Sequence, residues 1–262
     1  MLERFRQAKQ AEIQALLDQE RTGQLPPPFS GPRPSLIQAL RHQAPGAVIA
    51  EYKRASPSRG LINAHWPPSQ AAAGYARAGA TALSVLTEET YFHGSLDFLQ
   101  VMANPGLPLL RKDFLLHPVQ VRRTAATPAA ALLLIARMLS NSELESMLAT
   151  CREYALEAVV EVFDRADLDK AQAGGSSLIQ VNNRDLDRLT TDLRISLDLI
   201  RFRNKGEVWI SASGMHSAED MVRMRDAGYH GLLIGSRLMQ EPDPGQALAE
   251  LLRAMPKEPI HG

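Results

Sequence analysis

One cysteine in 262 residues is the first constraint. Cys151 alone excludes an intramolecular disulfide framework, a cysteine-rich zinc site and a CxxC redox motif. It falls within a helical run, Ser140 to Glu157, where it reads as a buried, inert thiol. An excess of either charge is also lacking. The 29 Lys+Arg balance 29 Asp+Glu, which removes the electrostatic footprint of a nucleic-acid or anionic-membrane binder. No uninterrupted apolar stretch reaches the ~18 residues that a membrane span requires. The opening segment, Met1 to Glu20, mixes Glu3, Arg4, Arg6, Lys9 and Glu12 with Leu2, Phe5, Ile13, Leu16 and Leu17. That is helical periodicity without the apolar core of a targeting signal. The expectation is a soluble, cytoplasmic protein without nucleic-acid or membrane partners. The seven histidines are scattered with no HExxH spacing, so no metal site is expected.

Hydrophobic residues make up 45% of the chain, ordinary for a folded domain and too many for disorder. Arg21 to Pro34 carries five prolines and two glycines and reads as an irregular connector. Beyond it, short apolar runs recur at Ala47–Glu51, Ala82–Leu86, Leu107–Leu110, Ala131–Ile135, Ala158–Val162, Leu178–Val181, Val208–Ser211 and Gly231–Ile234. Helical stretches such as Pro68–Ala78, Asn141–Leu156, Ala166–Ala173 and Ser217–Ala227 separate them. Eight such units predict a (β/α)8 TIM barrel with an additional N-terminal helix. The alternative, a doubly wound open sheet, lacks a GxGxxG after its first strand. The chain divides into a helical extension and connector over residues 1–46, a barrel over 47–254 and a tail over 255–262. The apolar stripe of the first helix needs a surface to cover, and the helix is expected to fold back over the barrel mouth.

Barrel chemistry sits at the C-terminal strand ends. Strand alternation puts Glu51 and Lys53 on one face with Ala47 and Ile49, either crowning the interior or forming an exposed ion pair. Lys112 shares a face with Leu110. Glu161 shares one with Val159 inside an apolar run, where an unpaired charge is costly. Asn182 also points inward. After the last two strands, Ser213-Gly214 and Gly235-Ser236 combine small and hydroxyl residues with a helical run. Such turns present backbone N–H groups to a phosphate, or they are tight turns and nothing more. Two lysines, two glutamates, an asparagine and a phosphate cup around one mouth point to metal-free acid–base catalysis on a phosphorylated small molecule.

In these strings the sequence resembles the indole-3-glycerol phosphate synthase family. The resemblance rests on Glu51-Tyr52-Lys53-Arg54-Ala55-Ser56-Pro57-Ser58, Leu109-Leu110-Arg111-Lys112-Asp113-Phe114, Val160-Glu161-Val162 and Val181-Asn182-Asn183-Arg184-Asp185-Leu186. Thr87-Glu88, Tyr91 to Ser95, Ser213-Gly214 and Ile234-Gly235-Ser236 complete it. It implies a cofactor-independent carboxy-lyase of tryptophan biosynthesis acting on 1-(2-carboxyphenylamino)-1-deoxyribulose 5-phosphate. By that resemblance Lys112 is the general acid and Glu161 the general base. Lys53 holds the substrate carboxylate, while Glu51 and Asn182 orient lysines and hydroxyls. Ser56, Ser213, Gly214, Gly235 and Ser236 form the phosphate cup. Phe92, Phe114 and Leu133 wall the ring, and Arg184 reaches the carboxylate. The chain departs from the family pattern in three places. Ala212 stands where a glutamate is usual, Gln180 where a glycine is usual, and Pro128-Ala129-Ala130 replaces Gly-Ala-Asp. Gln180 and Ala212 read as a compensating pair, one side chain enlarged as its neighbour shrank. A weakened or non-catalytic paralogue that binds phosphorylated ligands, or another tryptophan-pathway enzyme, is the reading that stays open.

Overall fold

Near-continuous apolar runs are what strands buried on both faces require, and eight of them form parallel strands. They are β1 (Ala47–Tyr52), β2 (Ala82–Leu86), β3 (Leu109–Lys112) and β4 (Ala131–Ile135). β5 (Glu157–Val162), β6 (Leu178–Asn182), β7 (Val208–Ala212) and β8 (Gly231–Ile234) follow. Each pairs with the next, and β8 returns to β1, so the sheet closes into a barrel. The computed structural model describes residues 2–57, 60–63, 65–185, 188 and 190–256. Ser58 and Leu186 of the quoted strings, and residues 257–262 of the expected tail, lie outside the described residues.

One strand is displaced from its expected place. The third begins at Leu109 instead of Leu107, because Gly106 (φ 74°) and Pro108 turn the chain first. Extension at its other end brings Lys112 into the sheet. A two-stranded hairpin, Ala55–Ser56 with Gly60–Leu61, follows β1 and was not legible from the pattern. The helix opening at Asn141 ends at Glu153, ahead of Ala155 at φ 51°. Cys151 is buried on it, and burial pushes its thiol up to about 12, in keeping with an inert core residue.

Register decides which side chains share a level inside the barrel. Tilted strands place inward residues in layers of four drawn from alternate strands. Stepping the ladders around the barrel puts Glu51, Lys112, Glu161 and Ala212 on one level. Beneath them lie Ser84, Leu133, Gln180 and Leu233, and below those Ile49, Leu110, Val159 and Ile210. The lower level is an apolar plug; charge enters only at the top.

Two helices outside the barrel repeat close its ends. α1 (Leu2–Arg21) buries Phe5, Lys9, Ile13 and Leu16, which lie along one helical stripe. It folds back over the mouth as its amphipathicity predicts: Phe5 stacks on Phe114 at 4.1 Å between ring centroids. α2 (Leu36–Gln43), capped by the Ser35 hydroxyl, buries Leu36 and Leu40 at the opposite end. A Cβ on Gly231 would stand 3.0 Å from Leu40 Cδ2. No helix among the described residues is long and apolar enough to cross a membrane.

Candidate active site

The upper layer brings opposite charges together where the apolar plug ends. Glu51, on an otherwise apolar strand, is 3% exposed, and Lys53 Nζ meets its Oε1 at 2.8 Å. Burial drives the Glu51 carboxyl upward, but Lys53, Lys112 and Arg184 outweigh it and hold it below the usual carboxylate range. Across the mouth, Lys112 Nζ lies 3.5 Å from Glu161 Oε2. Each glutamate therefore has a lysine beside it, and both lysines line the same cleft. Such pairs keep ammonium and carboxylate within proton-transfer reach of a common ligand.

Gln180 does not behave as the compensating partner of Ala212. Its register neighbours are Glu161 on β5 and Ile210 on β7, whereas Ala212 pairs with Asn182. The Gln180 amide donates to Glu161 Oε2. The volume gained at 180 thus turns toward the carboxylate already present, because an ionised acceptor attracts the amide donor and a methyl group does not.

The phosphate-type turns sit at the ends of β7 and β8. Ser213 (φ 67°) and Gly214 (φ 84°) both adopt left-handed backbone, rare for serine. Asn183, fully buried, braces this turn. Its Nδ2 donates to Ser211 Oγ (3.0 Å) and to the carbonyls of Ala212 and Ser213 (both 3.1 Å). Its Oδ1 accepts from Ser196 N at 3.0 Å. At the other turn the chain requires glycine for space: a Cβ on Gly235 would lie 2.3 Å from Glu51 Oε1. Ser56 reaches the same rim from the hairpin. Asn182 Oδ1 accepts from Arg184 N at 3.0 Å, which fixes the loop that carries the arginine.

Aromatic rings wall the remaining side. Phe92 and Phe114 lie 6.1 Å apart by ring centroid, and Phe5 of α1 packs against both. Phe92 is held by a tight turn in which the buried Glu88 carboxylate accepts from the backbone N–H groups of Thr90, Tyr91 and Phe92 at 2.7–3.0 Å. Phe114 follows Asp113, whose Oδ1 accepts from its N–H at 2.8 Å and meets Lys9 Nζ at 2.7 Å.

Every site residue singled out in the sequence lines this one cleft: Glu51, Lys53, Ser56, Phe92, Lys112, Phe114, Leu133, Glu161, Asn182, Arg184, Ser213, Gly214, Gly235 and Ser236. Sequence reasoning missed Phe5, which lines the cleft from another element, and the supports Asn183, Glu88 and Asp113. Phe5 gave no signal beyond its place in an apolar stripe. The supports are buried polar residues one or two positions past a strand end, Glu88 after β2, Asp113 after β3 and Asn183 after β6, where a buried polar group marks hydrogen bonding.

The comparisons agree with the geometry. Among solved structures, 3-hexulose-6-phosphate synthase from Salmonella typhimurium superposes with a TM-score of 0.63 at 11% identity, covering 79% of this chain and 98% of that one. KGPDC from Streptococcus mutans gives 0.60 at 12% identity, over 80% and 97%. At such identities the likeness is one of fold. Sequence relatives are nearer. The indole-3-glycerol phosphate synthase of Carboxydothermus hydrogenoformans is 45% identical over 83% of this chain and 84% of its own length. That of Desulfosudis oleivorans is 41% identical over 82% of each. A family profile described as Indole-3-glycerol phosphate synthase matches residues 2–251. With the barrel, the paired charges and these relatives in agreement, the chain belongs to the indole-3-glycerol phosphate synthase family.

Proposed function

We propose that this chain converts 1-(2-carboxyphenylamino)-1-deoxyribulose 5-phosphate into indole-3-glycerol phosphate, CO2 and water. The observation that carries the assignment of roles is the upper layer itself, with Lys112 and Glu161 3.5 Å apart over an apolar plug. Lys112 donates a proton to the substrate ketone oxygen, which makes that carbon electrophilic enough for attack by the ring carbon bearing the carboxylate. Loss of CO2 returns the bonding electrons to the ring. Lys112, reprotonated from solvent, gives a second proton to the former carbonyl oxygen, now a hydroxyl, which leaves as water while Glu161 takes a proton from the adjacent CH2 carbon, and the indole is formed. Lys53, kept in place by Glu51, binds the carboxylate with Arg184. Phe92, Phe114 and Leu133 hold the aromatic ring. Ser56, Ser213, Gly214, Gly235 and Ser236 take the phosphate, and Asn182 orients a hydroxyl. Residues 1–46 serve the same catalytic unit as the barrel over 47–254, since Phe5 contributes to its wall.

Ala212 favours a second reading, a protein that binds the substrate and turns it over poorly. One assay separates the two. The purified protein is incubated with the carboxyphenylamino deoxyribulose phosphate, and indole fluorescence and released CO2 are followed together. One CO2 per indole product supports the enzyme. Saturable binding without product supports the weakened paralogue.

A further inference from the structure

Gln180 is fully buried one level below the charged layer and is not itself a cleft-lining residue. Its Cα is the register partner of Glu161. The only hydrogen bond of its side chain among the described residues runs from Nε2 to Glu161 Oε2, the oxygen that Lys112 also approaches. A carboxylate accepts and does not donate, so the charge of Glu161 decides which way the amide faces. The consequence is visible at the other end of the amide, where Gln180 Oε1 is buried with no hydrogen-bond partner. Buried acceptors are seldom left so, because their lost hydration is not replaced. Here the whole polarity of the side chain is directed at one carboxylate oxygen.

Glu161 Oε1, by contrast, takes no hydrogen bond from the described residues and belongs to a cleft-lining side chain. We propose that Gln180 is a positioning residue: it holds Oε2 of Glu161 from below, beside Lys112, and leaves Oε1 as the atom that takes a proton from substrate. The inference rests on the reading of Glu161 as the base. It adds a residue that touches neither substrate nor reacting atoms and acts through the carboxylate alone. An N–H donor to a carboxylate stabilises its ionised form over its protonated form.

Gln180→Met keeps the length of the side chain and removes the donor. The expected result is a kcat about tenfold lower, the loss of one charge-assisted hydrogen bond. KM stays within about twofold, and the acidic limb of the kcat–pH profile moves to higher pH. Gln180→Glu moves the other limb. Its carboxyl donates to Glu161 only while protonated, so activity fails earlier as pH rises. In a Glu161→Gln background, adding Gln180→Met should change the residual kcat by less than about twofold. A wild-type pH profile in Gln180→Met overturns the proposal, as does an undiminished effect of Gln180→Met when Glu161 is already glutamine. If Gln180→Met does not fold, a wild-type profile for Gln180→Glu overturns it equally. A separate result, unchanged kcat in Glu161→Gln alone, would remove Glu161 as the base and identify the failure as that of the underlying reading.

Discussion

Lys112 occupies a level that it shares with two carboxylates and one methyl group, and it is the residue where chemistry and structure separate most cleanly. Its ammonium lies 3.5 Å from Glu161 and is partly exposed to the cleft, and on truncation the buried Glu161 carboxylate keeps the hydrogen bond from Gln180. Lys112→Met is expected to lower kcat by about 10²–10⁴-fold, the range for a lost general acid. Substrate affinity should fall far less, because the phosphate turns and the aromatic wall are untouched. Steady-state kinetics and equilibrium binding of the substrate check this, and an unchanged kcat would remove Lys112 from the acid role. Residues of this kind were legible in the sequence. A lysine or glutamate at the C-terminal end of an apolar strand has one inward position open to it, and alternation finds that position. Gln180 shows the limit. Alternation placed it inside the barrel, but its hydrogen bond to Glu161 depends on register between β5 and β6, which no single strand specifies.

At the scale of elements, α1 and the end of β3 form a unit. Lys9, on the buried stripe of α1, meets Asp113 at 2.7 Å and Glu12 at 2.6 Å. Arg111 donates to the second Asp113 oxygen at 2.9 Å, and Thr87 does so at 2.6 Å. Burial raises the Asp113 carboxyl, but Arg111, Lys9 and these hydrogen bonds overcome it and bring it from 3.8 down to about 2. A depressed carboxyl stabilises the fold above its unfolded value and loses that contribution as pH falls through its folded value. The contribution is on the order of 2 kcal/mol, lost between about pH 4 and pH 2. Acid titration of the wild-type protein should release α1 in that window, seen as faster amide exchange over residues 2–17. In Asp113→Asn the acid dependence should flatten, and rapid exchange should already be present at neutral pH. An acid transition in that window that survives Asp113→Asn unchanged would assign it to another group. The helix and its return to the mouth could be inferred from its apolar stripe. The ionic latch could not, since a lysine within such a stripe ordinarily reads as a snorkelling surface residue. The hairpin after β1 escaped for a different reason: strands of two residues carry no periodicity.

For the molecule as a whole, barrel closure and substrate binding meet at the seam between β8 and β1. Ala50 pairs with Ile234 there, so the last strand pair brings the Gly235 turn against Glu51. A Cβ at 235 would lie 2.3 Å from Glu51 Oε1 and 2.9 Å from its Cβ, closer than packed atoms stand. Relief requires Glu51 to move, yet it lies 2.8 Å from Lys53, and its other oxygen is already buried without a partner. Movement at the seam thus reaches two parts of the proposed site, the phosphate turn on one side and the carboxylate-binding lysine on the other. Gly235→Ala is therefore expected to cost about 1–3 kcal/mol of stability through overpacking. It should also raise KM and lower kcat together, because phosphate binding and the orientation of Lys53 change at once. Inorganic phosphate supplies the independent check. It should raise the wild-type melting temperature in a concentration-dependent way and raise that of Gly235→Ala much less. A variant that melts lower but keeps the wild-type phosphate response and kcat would show that the seam bears on stability alone, with no connection between barrel closure and the site.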